Sequence, residues 1–91
     1  MGNKDDRTVY VGGLPHDQCN FESMQLLFGE CGKMLDVRVV RDKVTAKPNG
    51  TVFVEFASKA SVTLALGLSG KLVEETLEGG RVIKHEIRVD R

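Results

Sequence analysis

The 91-residue chain is short of aromatic rings, with no tryptophan, one tyrosine and four phenylalanines. Cysteine is equally sparse. Cys19 and Cys31 have no spacing of a disulfide framework, and two is few for a secreted domain of this size. A reducing intracellular compartment fits that usage. Neither sign of charge prevails: 13 basic and 13 acidic residues give a formal net charge of zero. That disfavours strong non-specific attraction to a polyanion but leaves room for a local basic patch. No apolar run approaches the length of a membrane span, and no charged-then-apolar leader opens the chain. The start "MGNKDD" matches a myristoylation signal only at Gly2, because Asp6 stands where that signal needs Ser or Thr. It reads instead as a fragment boundary. His16 and Cys19 are a lone near-pair and His85 is the only other histidine, so neither a metal nor a cofactor is expected.

What is present suffices for one small core: 41% apolar and 29% charged residues, as in an ordinary globular chain. Residues 1–7 are polar and read as a flexible lead-in, and 8–91 read as a single domain without repeats or linkers. Thr8–Val11 alternates in the manner of a strand and "GGLP" ends it. Asn20 is a good cap for a helix whose Phe21, Met24, Leu27 and Phe28 share one face, with Gly32 as its stop. Met34–Arg41 is a second strand. The polar loop 42–50 is expected to close in a turn at Pro48-Asn49-Gly50. A third strand follows in "NGTVFVEF" (49–56). Ser58 can cap a second helix with Val62, Ala65, Leu66 and Leu68 on its apolar stripe, closed by Ser69-Gly70. Two β-rich runs around Glu78-Gly79-Gly80 predict a hairpin leading into a final strand. The order is β-α-β-β-α-β, an α+β ferredoxin-like sandwich: four antiparallel strands backed by two helices, with an extra hairpin before the last strand.

Alternation sends Val9 and Val11 inward and Tyr10 outward. It sends Val52, Val54 and Phe56 inward, and Thr51, Phe53 and Glu55 outward. Phe21 and Phe28 are assigned to the core along with Phe56. "VYVGGL" (9–14) and "NGTVFVEF" together resemble the first- and third-strand motifs of the RNA recognition motif (RRM) family, over roughly residues 8–91. The resemblance implies that the first and third strands are central neighbours. Tyr10 and Phe53 would then lie side by side on an open sheet, the surface on which single-stranded bases stack. An ordinary cross-strand aromatic pair, or a patch covered by the chain's own ends, is the alternative for these two rings.

The departures from the family pattern matter too. Thr51 replaces its third stacking aromatic, Val52 its small residue and Asn49 its basic one. The expected sheet face carries Asp36, Glu55, Glu86 and Asp90 against Arg38 and Arg88. Compensating charge is expected at the rim, with Arg41, Lys43 and Lys47 around the loop and Lys84, Arg88 and Arg91 along the last strand. The candidate RNA-binding residues are therefore Tyr10, Phe53, Thr51, Arg38, Lys43, Lys47, Arg88 and Arg91, with modest affinity expected.

"VRVVRDKVT" (37–45), "SVTLALGLSG" (61–70) and "IRVDR" (87–91) look like the second RRM of nucleolar ribosome-biogenesis proteins, and some translation-initiation-factor RRMs share parts of them. "LVEETLEGGRVI" (72–83) is longer than the family's usual link and would form an extra hairpin edge. Three readings are weighed. The first is a monomeric single-stranded RNA-binding module, nuclear or nucleolar, in RNA processing or ribosome biogenesis. The second is a protein-interaction module of the same fold, using the helices or the extra hairpin. The Arg-x-Phe signature of peptide-gripping variants is missing, since Arg81-Val82-Ile83 lacks the Phe. The third, an enzyme, finds no Ser/His/Asp set, paired-carboxylate cleft or phosphate loop.

Overall fold

A computed structural model describes residues 4–91. Of the stretch expected to be a lead-in, residues 1–3 lie outside the described residues, and Lys4–Arg7 forms a short 3-10 turn. The chain then runs β1 (Thr8–Gly12), α1 (Phe21–Phe28), β2 (Met34–Arg41), β3 (Pro48–Phe56), α2 (Lys59–Leu66), β4 (Leu72–Thr76), β5 (Val82–Glu86) and β6 (Arg88–Asp90). β1, β2, β3 and β6 form one antiparallel sheet in the order β2-β3-β1-β6, and β4 and β5 pair separately as a hairpin. This is the ferredoxin-like α+β sandwich with its extra hairpin.

One face of the sheet is the core. Val9, Val11, Val52, Val54 and Phe56 are fully buried, and Met24 and Phe28 of α1, Val62 and Ala65 of α2, Ile87 and Val89 join them. The rings of Phe28 and Phe56 meet edge to face, centroids 6.2 Å apart. Truncating a buried ring such as Phe56 to alanine costs about 3–5 kcal/mol, a large share of a small domain's stability. Cys19 and Cys31 are free and buried, and burial pushes both thiols above their ordinary range. They act as small core residues.

Asn20 caps α1 as its type suggests, its side chain accepting the Ser23 amide at 2.8 Å. α1 ends at Phe28 and tightens into a 3-10 turn over Gly29–Cys31 before Gly32. Ser58 stands at the N-cap of α2, but its hydroxyl pairs with that of Ser61 (3.3 Å) instead of capping an amide. α2 ends at Leu66, so Leu68 packs on the core from the turn beyond it.

Several expectations are corrected. Phe21 is 46% exposed, because it sits on the first residue of α1, where the apolar stripe overhangs the end of the core. Pro48-Asn49-Gly50 is not a turn: β3 begins at Pro48, which pairs with Arg41. The reversal lies earlier. The Asp42 carboxylate accepts the amides of Val44 (2.8 Å) and Thr45 (3.0 Å), Ala46 takes φ 60°, and the Asp42 amide donates to the Lys47 carbonyl. Lys84 and Glu86 belong to β5 in the hairpin, not to the last strand of the sheet. The hairpin is a sheet of its own and adds no edge to the main one.

The β2-β3 pairing is broken at both ends. Leu35 is one extra residue between the pairs Met34–Phe56 and Asp36–Glu55. At the other end Val40 alone spans the gap opposite residues 49–51, where Gly50 adopts φ 92° and the Asn49 side chain accepts the Thr51 amide at 3.0 Å. Among the described residues no helix is long and apolar enough to cross a membrane.

Candidate nucleic-acid interface

The sheet face opposite the helices is open. Tyr10 and Phe53 are direct register partners at its centre, each 38% exposed. Their ring centroids lie 5.6 Å apart and their planes 70° apart, an edge-to-face contact. β1 and β3 are interior strands, so both rings have a strand on either side. Tyr10 leans along its own strand: its Cε1 is 3.3 Å from where a Cβ on Gly12 would stand. Gly12 thus leaves the space that the tyrosine ring occupies.

The pairing continues the row across the sheet. Arg38 sits opposite Phe53, and Asp90 opposite Tyr10, giving Arg38–Phe53–Tyr10–Asp90 from β2 to β6. An open depression of about 500 Å³ lies over Thr8, Tyr10, Phe53, Asp90 and Arg91. One row away Arg88 pairs with Gly12. Thr51, half-buried, lies beside this row because Val52 pairs with Val11.

The face is less acidic than its sequence suggests. Glu55 is bridged by Arg7, Nη2 to Oε2 at 3.5 Å, while another Arg7 nitrogen reaches the Phe56 carbonyl at 3.5 Å. Glu86 is on the hairpin. Asp36 and Asp90 then stand against Arg38, Arg88 and Arg91 on or beside the platform. Arg7 had no sequence signal, since it falls in the polar stretch before the first strand.

Lys43 and Lys47 are exposed on the loop between β2 and β3. The loop is held by Asp42, whose carboxyl is lowered in pKa by its bonds to Thr45 and Val44. Arg41 is committed elsewhere, its guanidinium donating to the Ala46 carbonyl at 3.1 Å. Lys84 lies on the hairpin opposite Glu74, away from the platform row. The structure therefore brings together Tyr10, Phe53, Arg38, Arg88 and Arg91, sets Thr51 at their margin, and leaves Lys43 and Lys47 on a separate loop. No group of side chains suited to a metal ion occurs among the described residues.

Comparison with known proteins matches this arrangement to one family. The RNA recognition motif family model matches residues 9–77. The chain is 33% identical over 87 residues to zinc finger CCCH domain-containing protein 25 of Oryza sativa subsp. japonica, covering 96% of this chain and 25% of that protein. It is 36% identical over 80 residues to embryonic polyadenylate-binding protein 2 of Homo sapiens, covering 88% of this chain and 27% of that one. The chain thus spans about a quarter of the length of these relatives. Among solved structures, a Sxl-lethal protein/RNA complex superposes with a TM-score of 0.72 at 25% identity, over 98% of this chain and 50% of that one.

Proposed function

The chain belongs to the RNA recognition motif family, and from that membership we propose that it binds single-stranded RNA across the β2-β3-β1-β6 sheet. Tyr10 and Phe53 stack bases. Arg38, Arg88 and Arg91 hold the backbone beside them, Lys43 and Lys47 add contacts from the loop, and Thr51 marks the edge of the platform. The observation that carries the reading is the exposed Tyr10–Phe53 pair at the centre of the sheet, flanked by Arg38. Base stacking on such rings contributes about 1–3 kcal/mol per base, so two rings support a modest affinity. The names of the relatives, one a polyadenylate-binding protein, and the solved complex with RNA point the same way. The module acts as a monomer in RNA processing or ribosome biogenesis, in the nucleus or nucleolus.

A chemical-shift titration with a pool of short single-stranded RNAs tests this directly. Resonances of Tyr10, Phe53 and Arg38 are expected to move together and saturably. Movement confined to the helices and hairpin would overturn it.

A second reading, a protein-docking module, is favoured by one feature. A depression of about 600 Å³ between α1 and β4 is lined by Met24, Leu26, Leu27, Leu72 and Val73, with Leu26 89% exposed. The same titration separates the two faces, because they lie on opposite sides of the sheet.

A further inference from the structure

The hairpin stands against the end of β1 at which Thr51 replaces a ring. The Glu86 carbonyl oxygen lies 2.5 Å from where a Cβ on Gly13 would sit, and Arg88, two residues on, pairs with Gly12. Between the hairpin and the strand ends is an open pocket of about 310 Å³ whose lining includes His16, Asn49, Gly50, Glu75 and His85. Both histidines of the chain are here.

The walls differ in character. His16 is exposed, and its ring passes Gly50 with Cδ2 3.9 Å from the place a Cβ would take. On the hairpin side His85 Nε2 lies 2.8 Å from Glu75 Oε1, both side chains less than a third exposed. Val73 pairs with His85 and Glu75 with Ile83, so Glu75 and His85 are diagonal neighbours on one hairpin face. The histidine holds the carboxylate in place, and a carboxylate has acceptor sites beyond one such bond.

We propose that this pocket is a base-binding subsite, in which a nucleobase stacks on His16 and presents an exocyclic amino group to the Glu75 carboxylate. Imidazole is among the rings on which unpaired bases stack. Glutamate is a natural acceptor for the amino group of cytosine, whereas uracil has no such group to offer. The lining contains no lysine or arginine, so a base edge suits it and a phosphate does not. Gly13 lies three positions on from Tyr10, about 10 Å at the rise of an extended chain, within reach of the next nucleotide or two of an RNA already stacked on Tyr10. The hairpin thereby supplies a contact near the position where the third strand lacks its ring.

The proposal rests on the sheet-face reading, and its test keeps the two apart. The whole chain is titrated with hexacytidylate and separately with hexauridylate, following the ring resonances of Tyr10, Phe53, His16 and His85. Tyr10 and Phe53 are expected to respond to both, and the histidines to hexacytidylate alone. His16→Ala is expected to weaken hexacytidylate binding about tenfold, the loss of one stacked base, and His16→Tyr to recover most of it. His16 is exposed, so an unchanged amide spectrum verifies the fold of both variants. Histidines silent in both titrations while Tyr10 and Phe53 respond would overturn the subsite alone. Silence of all four rings would overturn the sheet-face reading and the subsite with it.

Discussion

Tyr10 and Phe53 face each other across β1 and β3, edge to face at 5.6 Å. The contact is worth about 0.5–1.5 kcal/mol to the fold beyond the area it buries. Neither ring reaches the core, which is formed by their neighbours Val9, Val11, Val52 and Val54. Tyr10→Ala and Phe53→Ala should each weaken binding to a short single-stranded RNA by about 1–3 kcal/mol while the far-ultraviolet circular dichroism stays that of the parent. Undiminished affinity in both variants would show that bases do not stack here.

Restoring a ring at Thr51 should strengthen binding. The β1–β3 pairing ends at Val11–Val52; one step further in the same register Thr51 would face Gly12, the residue over which the Tyr10 ring leans. A ring at 51 would therefore lie beside that of Tyr10. Thr51→Phe is expected to tighten binding by about 1 kcal/mol, the low end for one added stacked base. The comparison is made against the parent at one salt concentration. No gain would mean that this margin of the face is covered by something other than RNA.

Lys43 and Lys47 project from a loop braced by Asp42, so reversing both charges leaves the bracing bonds intact. Lys43→Glu with Lys47→Glu should lower affinity for every RNA sequence alike. It should also flatten the dependence of log K on log salt, by about 0.7 for each phosphate that the loop no longer neutralises. An unaltered slope would place the loop outside the interface.

Gly13, the residue just past β1, packs against Glu86 at the end of the hairpin. It has φ 79°, and a Cβ there would press on the Glu86 carbonyl, a backbone atom with little freedom to retreat. Gly13→Ala should destabilise the chain by about 1–3 kcal/mol, read as a lower urea midpoint with an unchanged slope. A midpoint equal to the parent's would mean the hairpin yields easily. Gly79 shares a positive φ but has open space around it, so Gly79→Ala should cost less.

The central strands were legible because alternation is a local property. Val9-Tyr10-Val11 and Val52-Phe53-Val54 declare their two faces without reference to anything distant. Phe21 is exposed despite its place on the apolar stripe, because helical spacing gives a direction, not how far the opposing surface extends. Lys84 and Glu86 fall on the hairpin and not on the last strand of the sheet, a placement that alternation also hides. Even-numbered residues stay exposed from Val82 through Asp90, so the alternation does not reveal where pairing passes from β4 to β1. The Glu75–His85 pair was within reach of sequence reasoning, since a register centred on Gly79 puts the two on one face of the hairpin. Arg7 was not, because its partner Glu55 is nearly fifty residues away.

The two irregularities in the β2-β3 pairing bear on misfolding. In a plain two-stranded ribbon a slip of one residue costs little locally yet turns every side chain to the opposite face. Here that slip would drive Phe53 and Arg38 inward and expel Val52 and Val54. Leu35 at one end and Gly50 at the other act as stops, since each fits only where the partner strand has the matching gap. Sliding in either direction would have to carry a bulge into regular pairing. The ribbon can therefore zip up in one alignment, and the platform's outward orientation is settled as it forms, before any RNA is present to select it.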